Sequence, residues 1–183
     1  PPGALPVFAI PALGNPSFET FRIRFEGLMA FFGQAMIVCV AVALVALGAS
    51  RRRLLMALGF VALAPVLLGP VVLSRFDLWP AALTAAVLCA LITGRLRLGH
   101  VALGAAIAAK LYPAVLAPLT VVYVWRRQGR REALLCAGLM LAVVAVVFVP
   151  FVAVAPGGVW DSLQNQASRP LQIESVGAGV LLV

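Results

Sequence analysis

The chain has 183 residues, of which 63% are apolar and 11% charged, whereas an average soluble domain is about 45–50% apolar and about 25% charged. A water-soluble domain of this length needs a large polar surface, and so few charged side chains cannot supply it. A water-soluble domain is therefore excluded, and lipid is the expected solvent. The net charge is +8. Because the cations lie between apolar runs, they indicate membrane orientation, and we expect no nucleic-acid partner.

Apolar runs of about 20 residues, the length of helix that crosses a bilayer of about 30 Å, divide the chain into membrane spans. In chain order the predicted segments of this single membrane domain are an outer segment (1–27), spans 28–49, 54–73, 78–94 and 133–155, an outer loop (156–175) and the start of a further span (176–183). Pro65 and Pro70 are expected to kink the second span. Trp79, at the start of the third, is typical of an aromatic belt. The sequence begins at Pro1 without Met, so we expect a piece of a longer protein.

Residues 98–125 form an apolar stretch that Lys110 and Pro113 interrupt. A single continuous span would place the basic cluster that follows it on the membrane face opposite Arg95 and Arg97, against the positive-inside rule. Two short arms, each about 18 Å long, would instead keep the basic clusters on one side. We therefore predict a broken, re-entrant helical hairpin with its apex at Lys110.

With this hairpin the charges sort into two faces. Nine arginines and one acid, Glu132, lie on the predicted inner face, and five cations and five acids lie on the outer side. Charges of both signs near membrane depth are costly and typical of a polar site, so we expect the functional site on the outer side. The predicted fold is an all-α, polytopic transmembrane helical bundle.

Three outer segments carry the polar residues suited to chemistry. Residues 74–77 contain Arg75 and Asp77, which could alternatively form a local pair that caps the next helix. Lys110 at the hairpin apex needs an anion or a water-filled cavity, unless it snorkels to the outer interface. The loop 156–175 contains amides, a guanidinium and carboxylates, which bind sugar hydroxyls and phosphate oxygens, unless the loop is merely solvated.

Other patterns of cofactor or metal chemistry are missing from the sequence. His100 has no second His or carboxylate close to it in sequence, and the three cysteines lie in apolar runs without a CxxC motif. We therefore predict an interfacial or packed histidine and no metal site. Walker, GxSxG and HExxH motifs are also missing.

The polar segments carry a family resemblance. They are, in chain order, PPGAL at 1–5, FRIRFE at 21–26, SRFDLWP at 74–80, KLYP at 110–113 and RPLQIES at 169–175. Together they resemble glycosyltransferase family 87, the bacterial polyprenol-phosphate-mannose-dependent mannosyltransferases of the GT-C superfamily. RPLQIES is the most specific of these segments.

The resemblance implies a GT-C-like enzyme of the bacterial plasma membrane that takes a hexose, typically mannose, from a polyprenyl phosphate carrier. The sugar would pass, with inversion, to a lipid or glycan hydroxyl on the extracytoplasmic face, without a nucleotide or other cofactor. The resemblance also implies that the carboxylate acting as catalytic base lies ahead of residue 1. Within the sequence, Asp77 is a candidate for this base.

The resemblance also implies roles for the outer cations. Lys110 and Arg169 would contact the polyprenyl phosphate, with Arg75 as a third cation. These side chains would stabilise the charge that develops on the leaving phosphate.

The remaining site residues would act on the sugar or on these cations. Asp77, Gln172 and Glu174 would bind sugar hydroxyls or orient the cations, and Tyr112 would close the roof of the cavity. A secondary transporter or a lipid-linked-sugar flippase is the alternative function, because broken helices and a buried cation also occur in transporters.

Overall fold

The computed structural model describes residues 2–69 and 71–167, and these residues form helices and turns without a strand. The helices are α1 (Leu5–Ala12), α2 (Phe18–Ala46), α3 (Arg51–Leu68), α4 (Val71–Ser74), α5 (Leu78–Ile92), α6 (Leu96–Ala109), α7 (Leu116–Gln128), α8 (Arg130–Val154) and α9 (Pro156–Ala167). Short 3₁₀ helices, Pro2–Ala4 and Tyr112–Val115, precede α1 and α7. The predicted all-α class is confirmed.

Two of these helices, α2 and α8, are long and apolar enough to cross a membrane. They contain 29 and 25 residues, which correspond to about 43 and 37 Å of helix. Many of their apolar side chains face outward: Val38 is 59% exposed and Val146 is 73% exposed. Apolar surface on this scale is stable in lipid and not in water, so the chain is a membrane protein.

The predicted spans 54–73 and 78–94 contain shorter helices. The first divides into α3 and the four-residue α4, and the second contains α5, whose 15 residues extend about 22 Å. Gly69 and Gly94 have φ values of +69° and +79°. In this conformation Gly69 ends α3, so the run 54–73 is not a single helix, whereas Gly94 lies in the turn after α5.

The predicted break at Lys110 is present. α6 ends at Ala109, Lys110 has an extended backbone, and the 3₁₀ turn leads into α7. In a continuous helix the Pro113 ring would clash with the carbonyl of Ala109, which explains the position of the break. Arg97, near the start of α6, bonds to Glu132, just after α7. The two arms therefore return to the same end of the molecule, as a hairpin requires.

Charged residues near the helix termini lie on two opposite sides of the described structure, which we call the lysine end and the arginine end. The lysine end holds Asp77, before α5, and Lys110, after α6, which contact each other. The arginine end holds the α2–α3, α5–α6 and α7–α8 turns, and its cations are Arg51, Arg52, Arg53, Arg95, Arg97, Arg126, Arg127, Arg130 and Arg131. Leu47 and Ile92 line one groove there, which brings the carboxyl ends of α2 and α5 together.

Two stretches outside the predicted spans are helical. α2 begins at Phe18, well before residue 28, because Ser17 Oγ accepts the Thr20 N–H at 3.3 Å and caps the helix. The loop predicted over 156–175 is helical over Pro156–Ala167, with Pro156 at the first position, which suits its fixed φ. The rest of that loop and the span predicted over 176–183 lie outside the described residues.

α6 lies between α5 and α8 and packs through small residues. A Cβ on Gly104 would lie 2.6 Å from the carbonyl oxygen of Met140, so the backbones of α6 and α8 approach closely at this glycine. His100 on α6 is fully buried, and its Nδ1 lies 2.9 Å from the Leu96 carbonyl oxygen. It is a packed histidine, one of the two predicted alternatives.

Candidate functional site

Lys110 lies at the hairpin apex, where its extended backbone directs the side chain to the start of α5. Its Nζ forms an ion pair with the Asp77 carboxylate and lies 5.5 Å from the centre of the Phe76 ring. The Lys110 and Asp77 side chains are 32% and 50% exposed, so water and a ligand can reach both. The anion that Lys110 needs is therefore Asp77, rather than a lipid headgroup reached by snorkelling.

Asp77 immediately precedes α5, yet its side chain makes no hydrogen bond to the first turn of that helix. Its carboxylate therefore does not cap α5 through a hydrogen bond. Its carboxylate instead bonds across 33 positions of sequence to Lys110. Tertiary structure therefore brings Asp77 and Lys110 together, and both side chains are partly exposed to solvent.

A cavity of about 500 Å³ opens beside this ion pair and has Arg75 and Asp77 in its wall. A second, almost wholly apolar cavity of about 540 Å³ lies between α2, α3 and α5 and extends to Leu47 and Ile92. The two cavities share three lining residues: Met36, Val72 and Leu78. They form a continuous apolar groove, the α2/α3/α5 groove, whose polar end is at Arg75 and Asp77.

Tyr112 follows Lys110 in the 3₁₀ turn and faces α5. Its hydroxyl lies 3.4 Å from Oγ1 of Thr84, which also donates to the Pro80 carbonyl at 2.7 Å. Tyr112 is 49% exposed, and it is not among the described residues that line the cavity beside Asp77. Its position is close to Lys110 but outside the cavity wall.

The N-terminal 3₁₀ helix supports the site. The sequence did not predict this supporting role. Nε1 of Trp79 donates to the Gly3 carbonyl at 3.2 Å, and its ring centre lies 4.5 Å from that of Phe32. Gly3 rests on the backbone of Ala108 and Ala109, where a Cβ would overlap the chain. The segment is thus wedged between the start of α5 and the end of α6, directly beside Lys110.

The sequence contained only indirect signals of these supporting contacts. Trp79 was interpreted as an aromatic-belt residue, although its ring and its indole N–H are both engaged within the protein. Phe76, whose ring lies beside Lys110, stands next to Asp77 in the SRFDLWP segment. This position beside Asp77 was the one signal in the sequence that could have identified Phe76 as a contact of Lys110.

The structure brings together one part of the predicted site. Asp77 and Lys110 are in contact, and Arg75 lines the adjoining cavity. Tyr112 lies against Thr84 of α5, outside the cavity wall. The remaining predicted residues, Arg169, Gln172 and Glu174, lie outside the described residues.

The sequence matches the family model of glycosyltransferase family 87 over residues 1–173. The chain belongs to glycosyltransferase family 87. The resemblance noted in the sequence is therefore confirmed, and the chain is a glycosyltransferase with membrane-capable helices. A search of curated proteins and a search of solved structures each found no match.

The family 87 match covers the whole described site. It includes Asp77 and Lys110, the cavity that adjoins them and the N-terminal segment that packs beside them. It also extends over Arg169 and Gln172 and ends one residue before Glu174. The family match therefore supports glycosyl transfer, rather than transport, as the activity of the chain.

Proposed function

We propose that this family 87 enzyme is a multi-pass protein of the bacterial plasma membrane that transfers a hexose, typically mannose, from a polyprenyl phosphate carrier. The acceptor is a lipid or glycan hydroxyl on the extracytoplasmic face. One observation carries the proposal: Lys110, a partly exposed cation, contacts Asp77, whose side chain stands in the wall at the polar end of an apolar groove. A donor with a phosphate joined to a long apolar chain is complementary to this site, since its phosphate would face the cation and its chain would lie in the groove.

The α2/α3/α5 groove fits the carrier chain. Its deeper part is lined almost entirely by apolar side chains, including Phe60 and Leu88. An isoprenoid chain laid there would replace lipid tails against these side chains, and because lipid tails are equally apolar, close packing rather than removal from water would favour its binding. Its phosphate would then lie near Arg75, at the lysine end.

The ion pair at the lysine end supplies the cation for the phosphate. Lys110 is held by Asp77 and by the face of Phe76, and it keeps donors free because an ammonium has three. Lys110, with Arg75 and Arg169, stabilises the negative charge that grows on the phosphate as the sugar leaves. Asp77 orients the ammonium and is a positioning residue.

The reaction is a direct displacement at the anomeric carbon. The acceptor oxygen forms a bond to this carbon while the bond to the phosphate oxygen breaks, and the electron pair leaves on the polyprenyl phosphate, with inversion. The acceptor proton passes to a carboxylate base. Asp77 is engaged by Lys110, so we assign the base to the region ahead of residue 1, and Gln172 and Glu174 to the sugar hydroxyls. The activated donor makes a nucleotide or other cofactor unnecessary.

The sidedness of the site follows from charge. Among residues 2–69 and 71–167, the arginine end carries nine cations and one acid, and it is the cytoplasmic end by the positive-inside rule. The lysine end then faces the extracytoplasmic side, where lipid-linked sugars replace nucleotide sugars as donors.

The proposal is tested with the purified full-length protein in liposomes, supplied with a membrane-lipid acceptor extract. Radiolabelled mannose is offered either on a polyprenyl phosphate or on a nucleotide. We expect label in a lipid product from the polyprenyl donor alone. Transfer from the nucleotide donor alone would contradict the carrier assignment, and movement of the intact donor across the bilayer without transfer would favour a flippase.

A further inference from the structure

A second polar cleft lies at the arginine end, opposite the proposed transfer site. It has a volume of about 570 Å³ and is formed by the α5–α6 turn, the end of α7 and the start of α8. Its polar lining residues are Arg95, Arg97, Gln128 and Glu132. The proposed transfer reaction uses none of them.

The positive charge at this cleft is not balanced by the protein. Arg97 donates from Nε and Nη2 to the two carboxylate oxygens of Glu132, at 2.7 and 2.9 Å. Glu132 is the one acidic side chain at the arginine end within the described residues, and this bidentate contact occupies it. Arg95 is exposed in the cleft wall, and Arg131 adjoins Glu132 on α8. Within the part of the chain that the structure describes, the cleft therefore has cations without a counterion, which favours an anionic ligand.

The surroundings of the cleft indicate what kind of anion it accepts. Exposed leucines continue from it along α6 and α8: Leu98 is 54% exposed, Leu134 is 61% exposed and Leu135 is 46% exposed. A ligand that combines an anionic head with apolar chains satisfies both surfaces, whereas a free anion satisfies only the cations. Basic pockets between membrane helices on the cytoplasmic side bind such headgroups, at about 1 kcal/mol for each Arg.

We propose that this cleft binds the headgroup of an anionic phospholipid, with its acyl chains along the exposed leucines of α6 and α8. Arg95 contacts the phosphate, and Gln128 donates to the headgroup oxygens. Glu132 opposes binding, because its charge repels the phosphate and it engages Arg97. The proposal rests on the arginine end alone and does not depend on the identity of the glycosyl donor.

The test uses the full-length protein in detergent, titrated with phosphatidylglycerol or with phosphatidylcholine of the same acyl chains. Lipid that stays bound is counted by native mass spectrometry. We expect preferential retention of phosphatidylglycerol by the wild-type protein. Arg95→Gln is expected to reduce that retention about fivefold, the effect of one lost phosphate contact.

Two further variants make the result specific to the cleft. Arg52→Gln removes the same charge from the same end but outside the cleft, and it should leave retention within about twofold of wild type. Glu132→Gln should increase retention of phosphatidylglycerol about fivefold, because it removes the repulsion and frees Arg97. An increase cannot result from loss of folding.

Three outcomes overturn the proposal. The first is equal retention of the two lipids, and the second is an equal loss in Arg95→Gln and Arg52→Gln, which indicates diffuse attraction of the whole end. The third is unchanged or weaker retention in Glu132→Gln. Preferential retention of phosphatidylglycerol, together with the expected result in each of the three variants, supports the cleft as the binding site.

Discussion

At the scale of residues, the contact between Asp77 and Lys110 defines the site. Local helix structure does not explain the contact. Asp77 makes no capping hydrogen bond to α5, and Lys110 lies just after the end of α6. A hydrogen bond to a charged group contributes about 1.5–3 kcal/mol where solvent is excluded, and less at this partly exposed pair. The effect of the contact is therefore on geometry more than on stability.

Asp77→Asn tests the positioning role. The amide cannot hold the ammonium by charge, so we expect kcat/KM for the polyprenyl donor to fall about tenfold, with the melting temperature within a few degrees of wild type. The measurement is steady-state transfer kinetics beside a thermal melt. In the double variant with Lys110→Gln, loss of Asp77 should add almost nothing. A faster reaction in Asp77→Asn would show that Asp77 competes with the donor phosphate instead.

At the scale of elements, glycines set how closely the helices approach. Gly104 on α6 faces the α8 backbone, with no room for a Cβ, whereas Gly138 on α8 has no heavy atom within 4 Å of the position that a Cβ would take. Both glycines are helical, so Ala improves the helix propensity at both sites equally. The difference between the two variants therefore measures packing alone.

Gly104→Ala should destabilise the protein by about 1–3 kcal/mol through overpacking of α6 against α8. Gly138→Ala should be neutral or stabilising. Thermal unfolding of the two full-length variants in the same detergent measures the difference. Equal melting temperatures would contradict the close approach of α6 and α8.

The N-terminal 3₁₀ helix supports the hairpin apex in the same way. Gly3→Ala should push Pro2–Ala4 off the end of α6, weaken the bond from Trp79 and reduce the transfer rate by disturbing Lys110. Gly27→Ala, on an open face of α2, is the matched control and should keep the wild-type rate. The measurement is the transfer assay with the polyprenyl donor, and equal rates in the two variants would remove the supporting role.

Sequence patterns identified these elements where the cause was local. The break at Lys110 follows from Pro113 and from a charge in an apolar stretch, and both are visible in the sequence. The start of α2 was missed because charged residues, from Glu19 to Glu26, obscure an apolar period, although Ser17 gave a capping signal. The contact of Trp79 with Gly3 joins residues 76 positions apart, and no local pattern encodes it.

At the scale of the whole molecule, the charges define an orientation. All nine arginines of the arginine end lie at helix turns that the structure places on one side, opposite the ion pair at the lysine end. The sequence predicted this separation because the positive-inside rule depends only on where the charges fall along the chain. It could not predict that Lys110 and Asp77 meet, since that requires the packing of α5 on α6.

Cysteine labelling tests the orientation. In the full-length protein with Cys39, Cys89 and Cys136 replaced by Ala, Ser74→Cys should react with an impermeant maleimide added outside intact cells. Gln128→Cys should react only after the membrane is opened. Both positions are exposed in the structure, so a missing reaction reflects the membrane and not burial. The reverse pattern would place the lysine end in the cytoplasm.

If the lysine end acts on a polyprenyl phosphate sugar, loss of its cation must lower kcat/KM for transfer in liposomes. Wild type is compared with Lys110→Gln and with Arg53→Gln, which removes the same charge at the opposite end of the molecule. We predict that Lys110→Gln lowers kcat/KM about tenfold to a hundredfold, as expected for one lost contact to a charged group, whereas Arg53→Gln does not change it. Equal rates in Lys110→Gln and wild type, or equal losses in the two variants, would contradict a role of the lysine end in binding the donor phosphate.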